Sequence, residues 1–312
     1  MSCHTLEPSV ATVHGHFDHA LKPVLTVDSG DTVTCRTMDG SWGEAGTTLF
    51  GLPPSEVKRG GDDGHPLIGP IFVRDALPGD VLEVAIDTIE PGSWGWTAAG
   101  PRQGWLRYGV SSDPEILVGW HIDVAQRVAR DANGLGVTVP ISPFLGVLGT
   151  APAEPGRHAT RFPRRVGGNM DCSEFVAGTT LWLPVEVPGA LLSVGDGHAA
   201  QGDGEISSTA LECPMDEVSL TLRIRKDIDL DGPRALTPAG YVIVGIGKDL
   251  DEATEMAVEG ALAYLRAELH LTRSEALAIA SLVVNLRITQ IANGTIGVHA
   301  MIKRETLTTW SK

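Results

Sequence analysis

Through the first two thirds of the chain, apolar and polar residues alternate with a period of two between Gly and Pro breaks. That pattern predicts short, half-buried strands joined by tight turns. The stretch "PVLTVDSGDTVTCRTMD" reads as a strand, a turn at Ser29 and Gly30, and a second strand with Val33 and Cys35 on one face. "FVRDALPGDVLEVAIDTIEP" repeats the arrangement around Pro78-Gly79-Asp80, and "TTLWLPVEVPGALLSVGDGH" does so around Pro188 and Gly189. The first two are expected to be hairpins of one β architecture, and the third a further strand, turn and strand. "EVSLTLRIRKDI" alternates as a half-exposed strand, while "SWGWTAAGPRQGWLRYG", with Trp94, Trp96 and Trp105, follows neither period and is read as a pocket wall or a pinned loop.

Near residue 232 the period changes. "DGPRALTP" reads as a linker and "YVIVGIG" as a buried strand; Asp249 with Glu252 then caps a helix whose stripe is Ala253, Ala257, Ala261, Leu265 and Leu269. Thr272 and Glu275 cap a second helix, and "RITQIANGTIGVHAMI" closes as a hairpin with a type I′ turn at Asn293-Gly294. The expectation is a mainly β body over 1–232 and a small β-α-α-β-β subdomain over 233–312.

Composition narrows the function classes. With 312 residues, 42% of them hydrophobic, the chain can bury a sizeable core. A net charge of -15 repels nucleic acid and anionic membranes. No run of about 20 apolar residues predicts a membrane span, and "MSCHTLEPSV" lacks the pattern of a secretory leader. Cys3, Cys35, Cys172 and Cys213 stand far apart without C-x-x-C spacing, which suits reduced thiols and a cytoplasmic location. A small neutral substrate is expected, and a homodimer or higher homo-oligomer is the default assembly.

The densest chemistry lies in "GDGHAAQGDGE", Gly195 to Glu205. Its glycine spacing is not that of a dinucleotide loop, and no helix pattern follows. Asp196 and His198 leave an extended chain on one face, and Asp203 and Glu205 repeat that relation after Gln201-Gly202. Such a set can hold a cation, activate a water, or form a solvated turn. "VGGNMDCSEF" adds Asn169 and Asp171 after two glycines, with Cys172 as either a thiol nucleophile or a small core residue. His14 and His16 form a reserve pair.

The blocks "HPLIGPIFVRDALPGDVLEV", "GGNMD", "LPVEVPGALLSVGDGHAAQGDGE" and "TALE", with the closing "DLDEATEMAVEGALAYL" and "SLVVNLRITQIANGTIGVHAMI", resemble the acetamidase/formamidase family in content and order. The resemblance implies a β-sandwich, jelly-roll-like body with a small C-terminal α+β subdomain. It also implies hydrolysis of the C–N bond of formamide- or acetamide-like amides, with γ-lactams as a variant. It brings in Asp39, His65 and Glu212 beside Asn169, Asp171, Asp196, His198, Gln201, Asp203 and Glu205. Where many members carry a "GGQ" segment after the first acidic position, this chain has "DGSWGEAGTT", which loosens the alignment of Asp39.

The expected mechanism is attack by a metal-activated water. Asp171, Asp196, His198 and Glu212 are the metal ligands, with zinc the first choice of divalent ion and calcium or another the alternative. Glu205, Asp203 and Gln201 are assigned to catalysis, Glu205 as the proton carrier; Asn169, His65 and Asp39 are assigned to the substrate. The competing readings are a metal-free thiol amidase using Cys172 and a non-catalytic small-molecule-binding protein on the same fold.

Overall fold

The structure is a computed structural model that describes residues 1–59, 61, 64–100 and 114–310. Trp105 lies outside these residues. Among them the strands form a nine-stranded sheet, an eleven-stranded sheet and a two-stranded ribbon. The two large sheets face each other over one core, with Val33, Val84, Leu183 and Leu220 from the first meeting Ile71, Leu145, Leu148 and Leu192 from the second. This is the mainly β sandwich expected.

Both expected hairpins, and the third strand-turn-strand segment with them, are corners between the sheets. Leu25–Val27 pairs in parallel with Leu67–Val73 in the eleven-stranded sheet, whereas Thr32–Thr37 pairs with Met215–Arg225 in the nine-stranded one. Leu67–Val73 and Val81–Pro91 part in the same way, as do Thr180–Pro184 and Leu192–Ala200. Alternation and a tight turn do not say whether two arms bond edge to edge or face each other across a core. Here the pairs of arms close the sandwich.

The C-terminal part extends the body's own sheet. Arg234–Leu236, within the segment read as a linker, bonds to Thr180–Pro184 on one side and to Gly240–Gly247 on the other. Ile296–Lys303 and Val284–Gln290 follow outward. The Leu250–Leu269 helix covers this extension through Ala253, Ala257 and Ala261, which meet Ile243, Val298 and Ala300. Contact is so close that a Cβ on Gly245 would stand 2.0 Å from the Ala253 carbonyl oxygen. Thr272 and Glu275 form the expected capping box of the second helix. The closing hairpin differs from the type I′ expectation: Gln290 pairs with Gly297, and of Asn293 and Gly294 only Gly294 has a positive φ.

His299 lies within this extension, fully buried, with Nδ1 2.8 Å from Thr289 Oγ1 and Nε2 unpartnered. Burial, reinforced by the Arg287 charge, holds its pKa down at about 4 from an ordinary 6.5. The unfolded chain therefore takes up this proton first as the pH falls. Stability contributed by the neutral ring is whole above pH 6.5 and declines between pH 6.5 and 4, by about 3 kcal/mol in all. Denaturant unfolding of wild type and His299→Gln across that window checks this, and the expected result is a shallower acid slope in the variant. Equal slopes would remove His299 as the cause.

Candidate active site

The site is built on the Leu192–Ala200 strand, which lies between Phe144–Gly149 and the short Leu211–Glu212 strand. His198 pairs with Glu212 across this boundary, and Val147 pairs with Asn169 at the far edge. Leu192–Ala200, Leu211–Glu212 and Gly167–Asn169, with the segments that follow the first and the last, thus deliver side chains to one buried place. Asp171, Asp196 and Glu205 all adopt left-handed backbone conformations, with φ of 47°, 58° and 46°. Non-glycine residues in that region carry strain that the surrounding structure must hold in place.

His198 is the hub. Its Nε2 lies 3.4 Å from Asp196 Oδ2 and 3.2 Å from Glu212 Oε2, and Nδ1 lies 4.0 Å from Asp171 Oδ1. Nδ1 also lies 3.1 Å from Gln201 Oε1, and the Gln201 amide nitrogen donates to the Asp171 carbonyl at 2.7 Å. An amide oxygen only accepts, so Nδ1 holds a proton and Nε2 is the nitrogen that faces the carboxylates. Gln201 therefore orients the imidazole. The ring also packs edge-on to Phe144.

Two groups have the spacing of cation ligands, Asp171–Asp196–His198 and His198–Glu205–Glu212, each with candidate atoms within 4.8 Å of one another. His198 is common to both groups, and with Nδ1 engaged by Gln201, Nε2 is the imidazole nitrogen left for an ion. The atoms fit such an ion on two grounds. Asp171 Oδ1, Asp196 Oδ1, His198 Nε2, Glu205 Oε2 and Glu212 Oε2 are all buried with no hydrogen-bond partner. Four buried carboxylates around one imidazole also demand positive charge.

The protonation pattern states that demand. Burial raises Asp171 to about 7, helped by Asp196 and opposed by His198. Burial also lifts Glu205 well above the carboxylate range, reinforced by the Asp171 charge, and raises Glu212. For Asp196, burial is outweighed by His65 and His198, which hold it low. For His198, burial is overcome by Glu212 and Asp196, which raise it well above 6.5. Protons sit where a cation would otherwise balance the charge.

Other expected residues take different places. His65, whose side chain is 27% exposed, stands at the rim with Nε2 4.0 Å from Asp196 Oδ2 and Nδ1 3.1 Å from Thr160 Oγ1. Asn169 leaves Oδ1 buried and unpartnered while its amide donates to the Arg161 carbonyl. Asp39 is not brought in as a substrate ligand. Its carboxylate is taken up by Trp96 Nε1, by Ser41 and by the Gly43 amide, so it fastens the wall instead. Asp203, assigned to catalysis by sequence, is exposed and bound bidentately by Arg287 at 2.7 and 2.8 Å. Placed two residues before Glu205, it grips the neighbouring strand. His14 bonds to Ser193 and to the His16 carbonyl, away from the cluster. Cys172 is fully buried, and that burial raises its thiol far out of reach of the thiolate.

Sequence reasoning missed two glycines. A Cβ on Gly146 would lie 2.5 Å from Asp171 Oδ1 and 2.7 Å from Asp196 Oδ2; one on Gly40 would lie 3.0 Å from Asp196 Oδ1 and 3.1 Å from Glu212 Oε2. The first interrupts the apolar run "PFLGVLG", the pattern of a strand glycine that lets something approach closely.

An acetamidase from Bacillus halodurans has the same fold, with a TM-score of 0.85, 28% identity, and coverage of 99% of this chain and 100% of that one. A formamidase of Methylophilus methylotrophus is 24% identical over 269 residues, and an acetamidase of Mycolicibacterium smegmatis is 34% identical over 201. Those matches take in 70% and 46% of this chain but only 65% and 49% of the relatives' lengths. The model of the Acetamidase/Formamidase family matches over residues 4–159 and 153–298, which together hold every strand that builds the cluster. The chain belongs to the acetamidase/formamidase family.

Proposed function

We propose that the buried cluster is the catalytic centre of an amidohydrolase that cleaves the C–N bond of small amides, giving a carboxylate and ammonia. The observation that carries this reading is the convergence of five buried, unpartnered donor atoms from Asp171, Asp196, His198, Glu205 and Glu212. Asp171, Asp196, His198 and Glu212 would hold a divalent cation. One imidazole nitrogen among carboxylate oxygens suits a borderline or hard ion, with zinc the first to test and manganese and calcium next. When bound, such an ion lowers the pKa of a water toward about 7 and draws charge from the amide carbonyl.

The chain's own residues supply the remaining steps. Glu205 takes a proton from the attacking water as the C–O bond forms, and returns it to nitrogen as the C–N bond breaks. It is buried beside the other carboxylates with Oε2 unpartnered, which leaves that oxygen free for both transfers. Thr160 Oγ1 accepts from the His65 backbone amide at 2.8 Å and lies 3.1 Å from His65 Nδ1, so it fixes the ring. His65 Nε2 is then the nitrogen left at the rim for the substrate. Gly40 and Gly146 bring backbone directly against the carboxylates, where a side chain would crowd them.

Ammonia release from formamide, acetamide and a γ-lactam before and after prolonged chelation tests this. Activity should vanish and return with a divalent ion, and Cys172→Ala should keep most of its turnover. Full activity without metal, with loss of turnover in a folded Cys172→Ala protein, would transfer the reaction to the thiol. The four cysteines are free, three of them buried, which supports a reducing, cytoplasmic site of action. Among the described residues no helix is long and apolar enough to cross a membrane.

A further inference from the structure

The C-terminal hairpin reaches into the catalytic cluster. Asn293, buried in the connection between Val284–Gln290 and Ile296–Lys303, donates from Nδ2 to Asp171 Oδ2 at 2.5 Å, across 122 positions of sequence. The connection is held to that shape by the fully buried Gln290, whose side-chain oxygen accepts from the Ala292 and Asn293 amides while its nitrogen donates to the Thr295 carbonyl. From outside, Arg161 donates to the Ala292 carbonyl. The same strand end also grips the loop that carries Glu205: the Gly204 amide donates to the Thr289 carbonyl, and the Gly204 carbonyl accepts from Ile291.

We infer that Asn293 is a positioning residue of the catalytic centre, tying off one oxygen of Asp171 so that the other is presented to the cation. This rests on the metal reading above. Asp171 has a left-handed backbone, and its Oδ1 is buried with no partner, whereas Oδ2 is engaged by Asn293. A carboxylate so held turns a fixed edge to the ion. Freed of Asn293, it can rotate, and one oriented ligand is lost. The effect of removing such a supporting partner is about 10- to 100-fold in metal affinity or activity.

The test titrates zinc, then manganese, into chelator-stripped full-length protein and follows thermal melting, with formamide kinetics on the same samples. Asn293→Ala should need about tenfold or more metal for half of the full melting shift, and should lose about tenfold or more in kcat with little change in KM. The exchange Asp171→Asn with Asn293→Asp reverses donor and acceptor, preserving the bond but moving the charge. It should recover the metal-free melting temperature without recovering the metal response or turnover. A wild-type metal midpoint and kcat in Asn293→Ala would overturn the inference, as would an exchange variant that regains both. If Asn293→Ala does not fold, Asn293→Ser takes its place in both measurements. A wild-type protein whose melting ignores every metal would overturn the metal reading, and the kcat comparison would still count for or against Asn293.

Discussion

Glu205→Gln is expected to lower ammonia release by about 10²–10⁴-fold while metal per subunit and fold are retained. Glutamine keeps the shape of the side chain but cannot take up a proton from water and hand it to nitrogen. Glu205 is suited to that work because it is 6% exposed, has an unpartnered Oε2, and sits on a strained backbone at φ 46°. The loop before it is fixed by Arg287 on Asp203 and by the Gly204 contacts with the neighbouring strand. Nothing in that scaffold depends on the charge of Glu205. The deciding measurement is metal content and turnover in the same preparation. Loss of metal together with activity would make Glu205 a ligand in the first place, and full activity would remove it from the reaction. Wild-type protein that binds amides and never releases ammonia would favour the binding-protein alternative.

The centre of the site was legible in one stretch because Asp196, His198, Gln201 and Glu205 lie within ten residues of one another, and Asn169 and Asp171 follow a pair of glycines. The roles within that stretch were less legible, since they depend on contacts far away in sequence. Asp203 and Glu205 look alike as letters, yet Arg287 draws the first outward while the second turns in. Asn293 reads as a turn former from its neighbours, and only the fold reveals that its amide faces Asp171. Gly146 looks like a weak point in an apolar strand until Asp196 and His198 of the neighbouring strand and Asp171 of a distant loop converge on it. At the level of the fold, alternation located the strands but assigned two corners as hairpins. The hydrophobic pattern records which face is buried, and is silent about which edge bonds to which.

Gly146→Ala should remove metal binding and turnover together, by about 10²-fold or more if the ligand geometry loosens by even an ångström. Gly146 lies within the Phe144–Gly149 strand without a positive φ, so its backbone accepts alanine and the effect is purely one of space. The new Cβ would meet Asp171 Oδ1 at 2.5 Å, Asp196 Oδ2 at 2.7 Å and His198 Cε1 at 2.9 Å. None of the three can retreat cheaply. Asp171 is held by Asn293, His198 by Gln201 and the Phe144 ring, and Asp196 by its own left-handed backbone. The Gly146 carbonyl in turn accepts from the Met170 and Asp171 amides, so moving the strand would move the ligands with it. Overpacking of this kind is expected to lower stability by about 1–3 kcal/mol, which leaves a folded protein to examine. Gly202→Ala is the control, because nothing lies within 4 Å of a Cβ there and the φ is not positive. It should melt, bind metal and turn over like wild type. A Gly146→Ala protein with a full complement of metal and unchanged turnover would mean that the ion, or the reaction, lies elsewhere than at the oxygens that face this glycine.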